Sequence, residues 1–437
     1  MCPLIAGLRW SIIIRRCFPL ELIKAPRGVH DVLPEEHRKW SYVFKVAEEV
    51  AFLYGYGEVS LPIFEHTELF SRGIGEATDI VEKEMYTFQD KSGRSLTLRP
   101  EATASMVRSY LENGMRNRPQ PVKLWCKGPM FRHERPQKGR YRQFWQLDFE
   151  ALGSPDPLLD VEVIGMSVDL FARLGLKNLA VVVNSVGCPV CRPSYREALR
   201  AFLKPRLDGL CPSCQSRYER NVLRVLDCKE ARCRELTEEA PSSLEFLCGS
   251  CKSHHEVVVR GLKALGLEAR LDKRLVRGLD YYTKTAFEVL SGELGAQNAV
   301  CGGGRYDHLA EAIGGPHVPG VGFAAGVERV VMLMEGQGCP FGEERTLEVF
   351  VACVAPEDRL EGALALSRLR ALGVSADMDY LGRSLKGQLK AADSLGVRFV
   401  LIVGGDELRA GLFSLRDMRR GAQEVLGWEE VLSRIRS

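Results

Sequence analysis

Two short strings in this chain combine residue types that could hold a phosphate-bearing substrate beside a small polar one. Residues 127–142 contain six basic side chains, Lys127, Arg132, Arg135, Lys138, Arg140 and Arg142, against a single acid, Glu134. They read as a loop between two strand-like runs, 122–132 and 143–152. A guanidinium stays charged and offers planar, paired donors to phosphate oxygens. The second string, Arg277-Gly278-Leu279-Asp280-Tyr281-Tyr282, sets a further arginine against two phenols. A tyrosine hydroxyl can hydrogen-bond a small substrate while its ring packs against it. For a lone Arg-Gly, a buried tyrosine pair beside a surface arginine is the simpler account. The full six-residue string favours function.

Flanking segments add polar groups. After the arginine loop, the strand period of two puts Trp145, Leu147, Phe149 and Ala151 on one face and Gln146, Asp148 and Glu150 on the other. That alternation fits a solvated sheet face as well as it fits the floor of a binding site next to the arginines. In Leu98-Arg99-Pro100-Glu101-Ala102-Thr103, the proline and acid suit a helix start. Cys301-Gly302-Gly303-Gly304-Arg305-Tyr306-Asp307 reads as a strand meeting a glycine turn that opens a helix, where backbone could approach a ligand closely. Arg329, after Gly320-Val321-Gly322-Phe323-Ala324-Ala325-Gly326, falls early in a helix.

These groups need elements to position them. Apolar spacing predicts a helix over 37–54, closed by Gly55 and Gly57. Strand-like runs follow at 58–62, 95–98, 122–132 and 143–152, and the strand-rich pattern resumes from 275 to 326. Between them, residues 180–261 turn cysteine-rich and charged, which marks an insertion. From 346 the order becomes strand, helix, strand, helix, strand (347–354, 359–372, 374–379, 384–394, 397–403), a separate small α/β domain.

Composition sets limits. The 437 residues are 45% apolar and 27% charged, ordinary for a soluble globular protein of two or three domains. Sixty Lys and Arg against 57 Asp and Glu leave a net charge of +3, so a nucleic-acid partner would need a local patch such as 127–142. No apolar run approaches the roughly 20 residues needed to cross a bilayer. Eight of the fourteen cysteines lie between Cys188 and Cys251 in a chain too large to need stapling, which reads as reduced, cytosolic thiols. Cys188-x2-Cys191 and Cys211-x2-Cys214 have the spacing of a four-thiolate zinc site, and Cys228, Cys233, Cys248 and Cys251 could form another. His254 and His255 are substitutes, or simply surface histidines. Residues 1–24 carry Arg9, Arg15 and Arg16 and no acid before Glu21, which loosely fits an organellar transit peptide. With Ser11 the only hydroxyl residue in the first twenty, a flexible extension or an overcalled start is the preferred reading.

The two opening strings together resemble the histidyl-tRNA synthetase family, and the likeness runs through nearly the whole chain from Ala25. It implies an α+β fold: a class II antiparallel-sheet catalytic domain over 25–340, interrupted by the cysteine-rich insertion at about 185–262, then an α/β anticodon-binding domain over 345–437. In that family the arginine loop is the second class II motif. The resemblance gives Arg132 the α-phosphate of ATP, Glu134 the adenine, Arg140 the terminal phosphates, and Gln146 and Glu150 the histidine. Glu101 and Thr103 would receive the α-ammonium group, Tyr281 and Tyr282 would line the imidazole pocket, and Arg277 would stabilise the phosphate during adenylate formation. The third motif places Arg329 on adenine and the γ-phosphate, and residues 56–62 match the first motif, which builds a dimer interface.

The implied activity is a cytoplasmic, homodimeric histidine-tRNA ligase. It would take ATP with Mg2+, histidine and the histidine tRNA as substrates, with no membrane partner, and any Zn2+ would be structural. The rival is a non-catalytic paralogue such as the ATP phosphoribosyltransferase regulatory subunit. Such paralogues tend to lose the C-terminal domain and the catalytic arginines, whereas this chain has both.

Overall fold

The computed structural model describes residues 22–76, 78–137, 139–293, 298–343 and 346–436, in two compact units divided after Phe341. Most of the extension expected at 1–24 lies outside the described residues. In the first unit, β1 (Gly57–Glu58) leads into a small antiparallel sheet of β2 (Phe64–His66), β3 (Tyr86–Gln89) and β4 (Ser95–Leu98). Then β5 (Val122–Phe131), β6 (Gln143–Leu152), β7 (Leu179–Ser185), β8 (Ala269–Leu271), β9 (Thr283–Ser291), β10 (Ala299–Arg305) and β11 (Gly320–Gly326) join β1 in an eight-stranded sheet. Its order is β1-β5-β6-β11-β10-β9-β7-β8, antiparallel except for the outer pairs β1/β5 and β7/β8. The strand expected at 58–62 shrinks to the two residues of β1.

Alternation along these strands separates two faces. Leu147, Phe149, Val289, Val321 and Phe323 face the main core, against helices Pro34–Leu53, Pro157–Arg173, Gly249–Ala264 and Val327–Gly336. The first of these starts with Pro34 at its favoured position and buries Trp40, Val43, Ala47 and Val50 at helical spacing. On the opposite face, helix Thr103–Glu112 closes a second core through Met106, Val107 and Tyr110. The cleft described below opens beside it.

The cysteine-rich segment forms short helices, Arg192–Leu203, Pro212–Arg220 and Ala231–Leu236, around a core of its own that includes Tyr195, Leu199, Val225 and Val276. Helix Gly249–Ala264, expected within the insertion, instead sends Val258 and Leu262 into the main core. The thiols also pair differently from the sequence expectation. Cys188 and Cys191 meet Cys248 and Cys251, while Cys211 and Cys214 meet Cys228 and Cys233. The set Cys188, Cys191, Cys211, Cys214 is thereby corrected: helix Arg192–Leu203 and the turns after it carry the second pair away from the first. His254 is not a surface residue either; its Nε2 lies 3.0 Å from Oδ1 of the buried Asp160, which also holds Arg305.

The second unit is a five-stranded sheet of β12 (Val349–Cys353), β13 (Ala376–Met378), β14 (Phe399–Val403), β15 (Phe413–Asp417) and β16 (Gln423–Leu426), in the order β13-β12-β14-β15-β16. Its first three strands are parallel, connected through helices Arg359–Ala371 and Leu385–Ser394. The antiparallel pair β15/β16 and helix Trp428–Arg436 complete it.

Candidate active site

On the sheet face away from the main core lies a cleft of about 320 Å³. It is lined by Glu101, Thr103, Arg132, Glu134, Arg140, Gln146, Glu150, Arg277, Tyr281, Tyr282 and Arg329, so every expected site residue outside the cysteines is brought to one place. The strand register explains the shape. Asp148 stands opposite Ala324, Ala324 opposite Gly302 and Gly302 opposite Glu288, so two small residues separate two acids across four strands.

The glycines are required by close approach. A Cβ on Gly302 would fall 2.5 Å from the Arg277 guanidinium, and one on Gly322 would fall 1.7 Å from Glu150 Oε2. Gly302, Gly303 and Gly304 therefore belong to the interior of β10 and not to the turn expected from their sequence. Their missing side chains leave room for groups arriving from neighbouring elements.

One end of the cleft is acidic. Glu101 accepts the backbone N–H groups of Thr103 (2.8 Å) and Ala104 (3.0 Å), so it caps a helix and lines the cleft at once. Thr103 Oγ1 donates to Glu150 Oε1 at 2.6 Å, and the Tyr306 hydroxyl donates to Glu150 Oε2. Asp148 and Glu150 are each only 1% exposed, which excludes a solvated sheet face. Both Asp148 oxygens and Gln146 Oε1 lack a partner among the described residues. Burial raises the carboxyls of Glu101 and Glu150, and burial with the nearby Glu101 pushes Asp148 up to about 8. Tyr281 packs against Tyr282 and Tyr306, with ring centroids 4.7 and 5.7 Å apart.

The other end is basic. Arg277 pairs with Glu288 and lies over the Tyr282 ring at 5.7 Å. Arg132 Nε donates to the Pro100 carbonyl at 2.8 Å, and its guanidinium stacks over Phe144. Arg140 pairs with Glu134 at 2.9 Å. Arg329 donates to the carbonyls of Gly139 (3.2 Å) and Ala299 (2.9 Å). Burial, and after it the charge of Arg140, holds the Arg329 guanidinium below its usual range. Crowded cations at one end and buried, proton-hungry carboxylates at the other make a cleft that takes a polyanion and a cation side by side.

Three further residues were not singled out by sequence. Asp148 shares the Gln146/Glu150 face, so the alternation carried its signal, and Tyr306 sits inside the glycine string. Glu288, which holds Arg277, has no local signature.

An antiparallel sheet with an arginine loop joining two adjacent long strands, over a floor of buried carboxylates, is the catalytic body of a class II aminoacyl-tRNA synthetase. Residues 28–330 match the family description Histidyl-tRNA synthetase, and residues 348–437 match Anticodon binding domain. The chain belongs to the histidyl-tRNA synthetase family. It is 51% identical over 411 residues to the Histidine–tRNA ligase of Desulforamulus reducens, covering 94% of this chain and 98% of that one. Against the Histidine–tRNA ligase of Moorella thermoacetica it is 53% identical over 403 residues, covering 92% and 95%. Among solved structures it is similar to the apo histidyl-tRNA synthetase of S. aureus, with TM-score 0.80 and 38% identity over 95% of this chain and 100% of that one. An ATP phosphoribosyltransferase regulatory subunit/histidyl-tRNA synthetase from Bacillus halodurans C shares the fold, at TM-score 0.63 and 21% identity over 88% of this chain and 99% of that one.

Proposed function

We propose that this chain is a histidine-tRNA ligase. It joins histidine and ATP into histidyl-adenylate with release of pyrophosphate, then passes the acyl group to the 3' end of the histidine tRNA. The observation that carries this reading is the two-ended cleft. Glu101, Thr103, Gln146 and Glu150, with Tyr281 and Tyr282, receive histidine at the acidic end. Arg132, Arg140 and Arg329, with Glu134, hold ATP at the basic end. Arg277, at the basic end beside the Tyr282 ring, stabilises charge on the α-phosphate as the carboxylate of histidine attacks and pyrophosphate leaves; it works electrostatically, without transferring a proton. Glu134 and Glu288, paired with Arg140 and Arg277 in the free protein, would be the carboxylate donors at this end to a Mg2+ entering on the triphosphate, whose charge the ion would offset.

The second unit binds the anticodon, mainly by stacking and backbone contacts to single-stranded nucleotides. The enzyme acts as a cytoplasmic homodimer, and any zinc it carries is structural. Identity of 51–53% over nearly the full length of histidine-tRNA ligases, together with Arg132, Arg277 and Arg329 in one cleft, favours this over a regulatory paralogue.

The test is histidine-dependent exchange of labelled pyrophosphate into ATP. Exchange with histidine alone among the amino acids, lost in Arg277→Ala, is the expected result. A folded, ATP-binding protein without exchange would hand the motifs over to the regulatory reading.

A further inference from the structure

We infer that the cysteine-rich segment carries two structural zinc ions, one on Cys188, Cys191, Cys248 and Cys251 and the other on Cys211, Cys214, Cys228 and Cys233. The donor sets and their spacing support this directly. Within each set, all four sulfurs lie within 4.8 Å of one another. A tetrahedral site with Zn–S bonds of about 2.3 Å requires sulfurs about 3.8 Å apart along every edge. The separations are 3.6 Å for Cys188/Cys191, 3.8 Å for Cys188/Cys248, 3.8 Å for Cys191/Cys251 and 3.9 Å for Cys211/Cys228. A disulfide would need about 2.05 Å.

Thiols also pack as small apolar groups, and burial alone has that explanation. It does not explain why eight of them gather in two fours, each with its sulfurs turned toward one centre. Each set also receives a backbone N–H of the kind that steadies a metal-bound thiolate: Cys188 N–H to Cys191 Sγ at 3.1 Å, and Cys211 N–H to Cys233 Sγ at 3.2 Å. Four thiolates close the coordination sphere and leave no open position for chemistry. A redox-silent ion suits that role.

The two centres bracket the Arg277 segment. Arg192, next to Cys191, donates to the Tyr282 carbonyl. Between Cys214 and Cys228, Asn221 donates to Asp280 Oδ1 at 2.7 Å and Arg224 to the Gly278 carbonyl at 2.8 Å. Asp227 and Lys229, on either side of Cys228, line the cleft. The metals thus fix the small core from which residues 278–282 are held. The metal assignment stands without the ligase reading, whereas its link to Arg277 rests on it.

Elemental analysis of the full-length protein, purified without chelator, tests the assignment. We expect two zinc ions per chain, both released when a mercurial titrates the thiols. Cys188→Ser with Cys248→Ser should remove one, and Cys211→Ser with Cys228→Ser the other. Cobalt exchanged into the wild type should give thiolate-to-cobalt charge-transfer bands that saturate at two equivalents, a readout that needs no variant to fold. Fewer than two zinc ions, iron in their place, or eight thiols that titrate freely in the native protein would overturn the proposal. Pyrophosphate exchange measured on the same samples keeps the readings apart. Two zincs without exchange uphold the metal sites against the ligase reading, and exchange without zinc does the reverse.

Discussion

Asp148 is a buried acid with neither carboxyl oxygen partnered among the described residues. The residue is 1% exposed, and its carboxyl is pushed up to about 8 by burial and by Glu101, with Arg99 and Arg132 only partly offsetting them. Below about pH 4 the folded and unfolded chains both hold this proton. Between there and about pH 8 only the folded chain keeps it, so stability is lost as pH rises through that window, by an amount on the order of a few kcal/mol. Asp148→Asn removes the titration and keeps the shape. The melting temperature of the variant relative to wild type should therefore climb between pH 5 and pH 9. A difference that stays flat across that range would mean that Asp148 titrates like an ordinary surface acid. A carboxylate kept this costly in the free protein fits a site that receives a cationic group, because a bound ammonium supplies the missing partner.

At the scale of elements, the segment carrying Arg277 is held from outside the sheet. Arg224, 9% exposed, donates to the Gly278 carbonyl and to Asp79 Oδ2, both at 2.8 Å, and Arg217 joins at the same Asp79 oxygen. Arg224→Ala should lower kcat for pyrophosphate exchange roughly 10- to 100-fold, the scale on which small misplacements of a catalytic group act. KM for histidine should change less, because Glu101, Thr103, Gln146 and Glu150 at the acidic end come from other elements and only Tyr281 and Tyr282 share the segment. An equal effect on both would make Arg224 a general support of the fold. What the sequence revealed follows the same division. Strand β6 was readable because its alternation is local, and the arginine loop was readable because its composition is. Gly302 to Gly304 looked like a turn because the side chains that use their empty Cβ space, Arg277, Phe287, Phe323 and Tyr282 among them, come from other parts of the chain. The cysteine pairing depended on how helix Arg192–Leu203 turns the chain, which spacing alone does not encode. Strands β15 (FSLRD) and β16 (QEVL) went unseen because at least half of their residues are polar.

Across the whole molecule, the two units have separate cores. Val349, Val351, Leu369, Leu401 and Val431 pack together in the second, and none of them enters the clusters built around Phe149 or Tyr306 in the first. Every residue lining the cleft precedes Phe341. Adenylate formation needs histidine and ATP alone, while charging also needs the tRNA held in place. A chain ending at residue 341 should therefore keep histidine-dependent pyrophosphate exchange within a few-fold of wild type and lose most of its tRNA charging, by roughly 100-fold or more if anticodon contacts contribute about 3 kcal/mol. The two assays, run on one preparation that melts cooperatively, separate the outcomes. Retained charging would show that the second unit does not secure the tRNA, and lost exchange would show that the catalytic cleft depends on it.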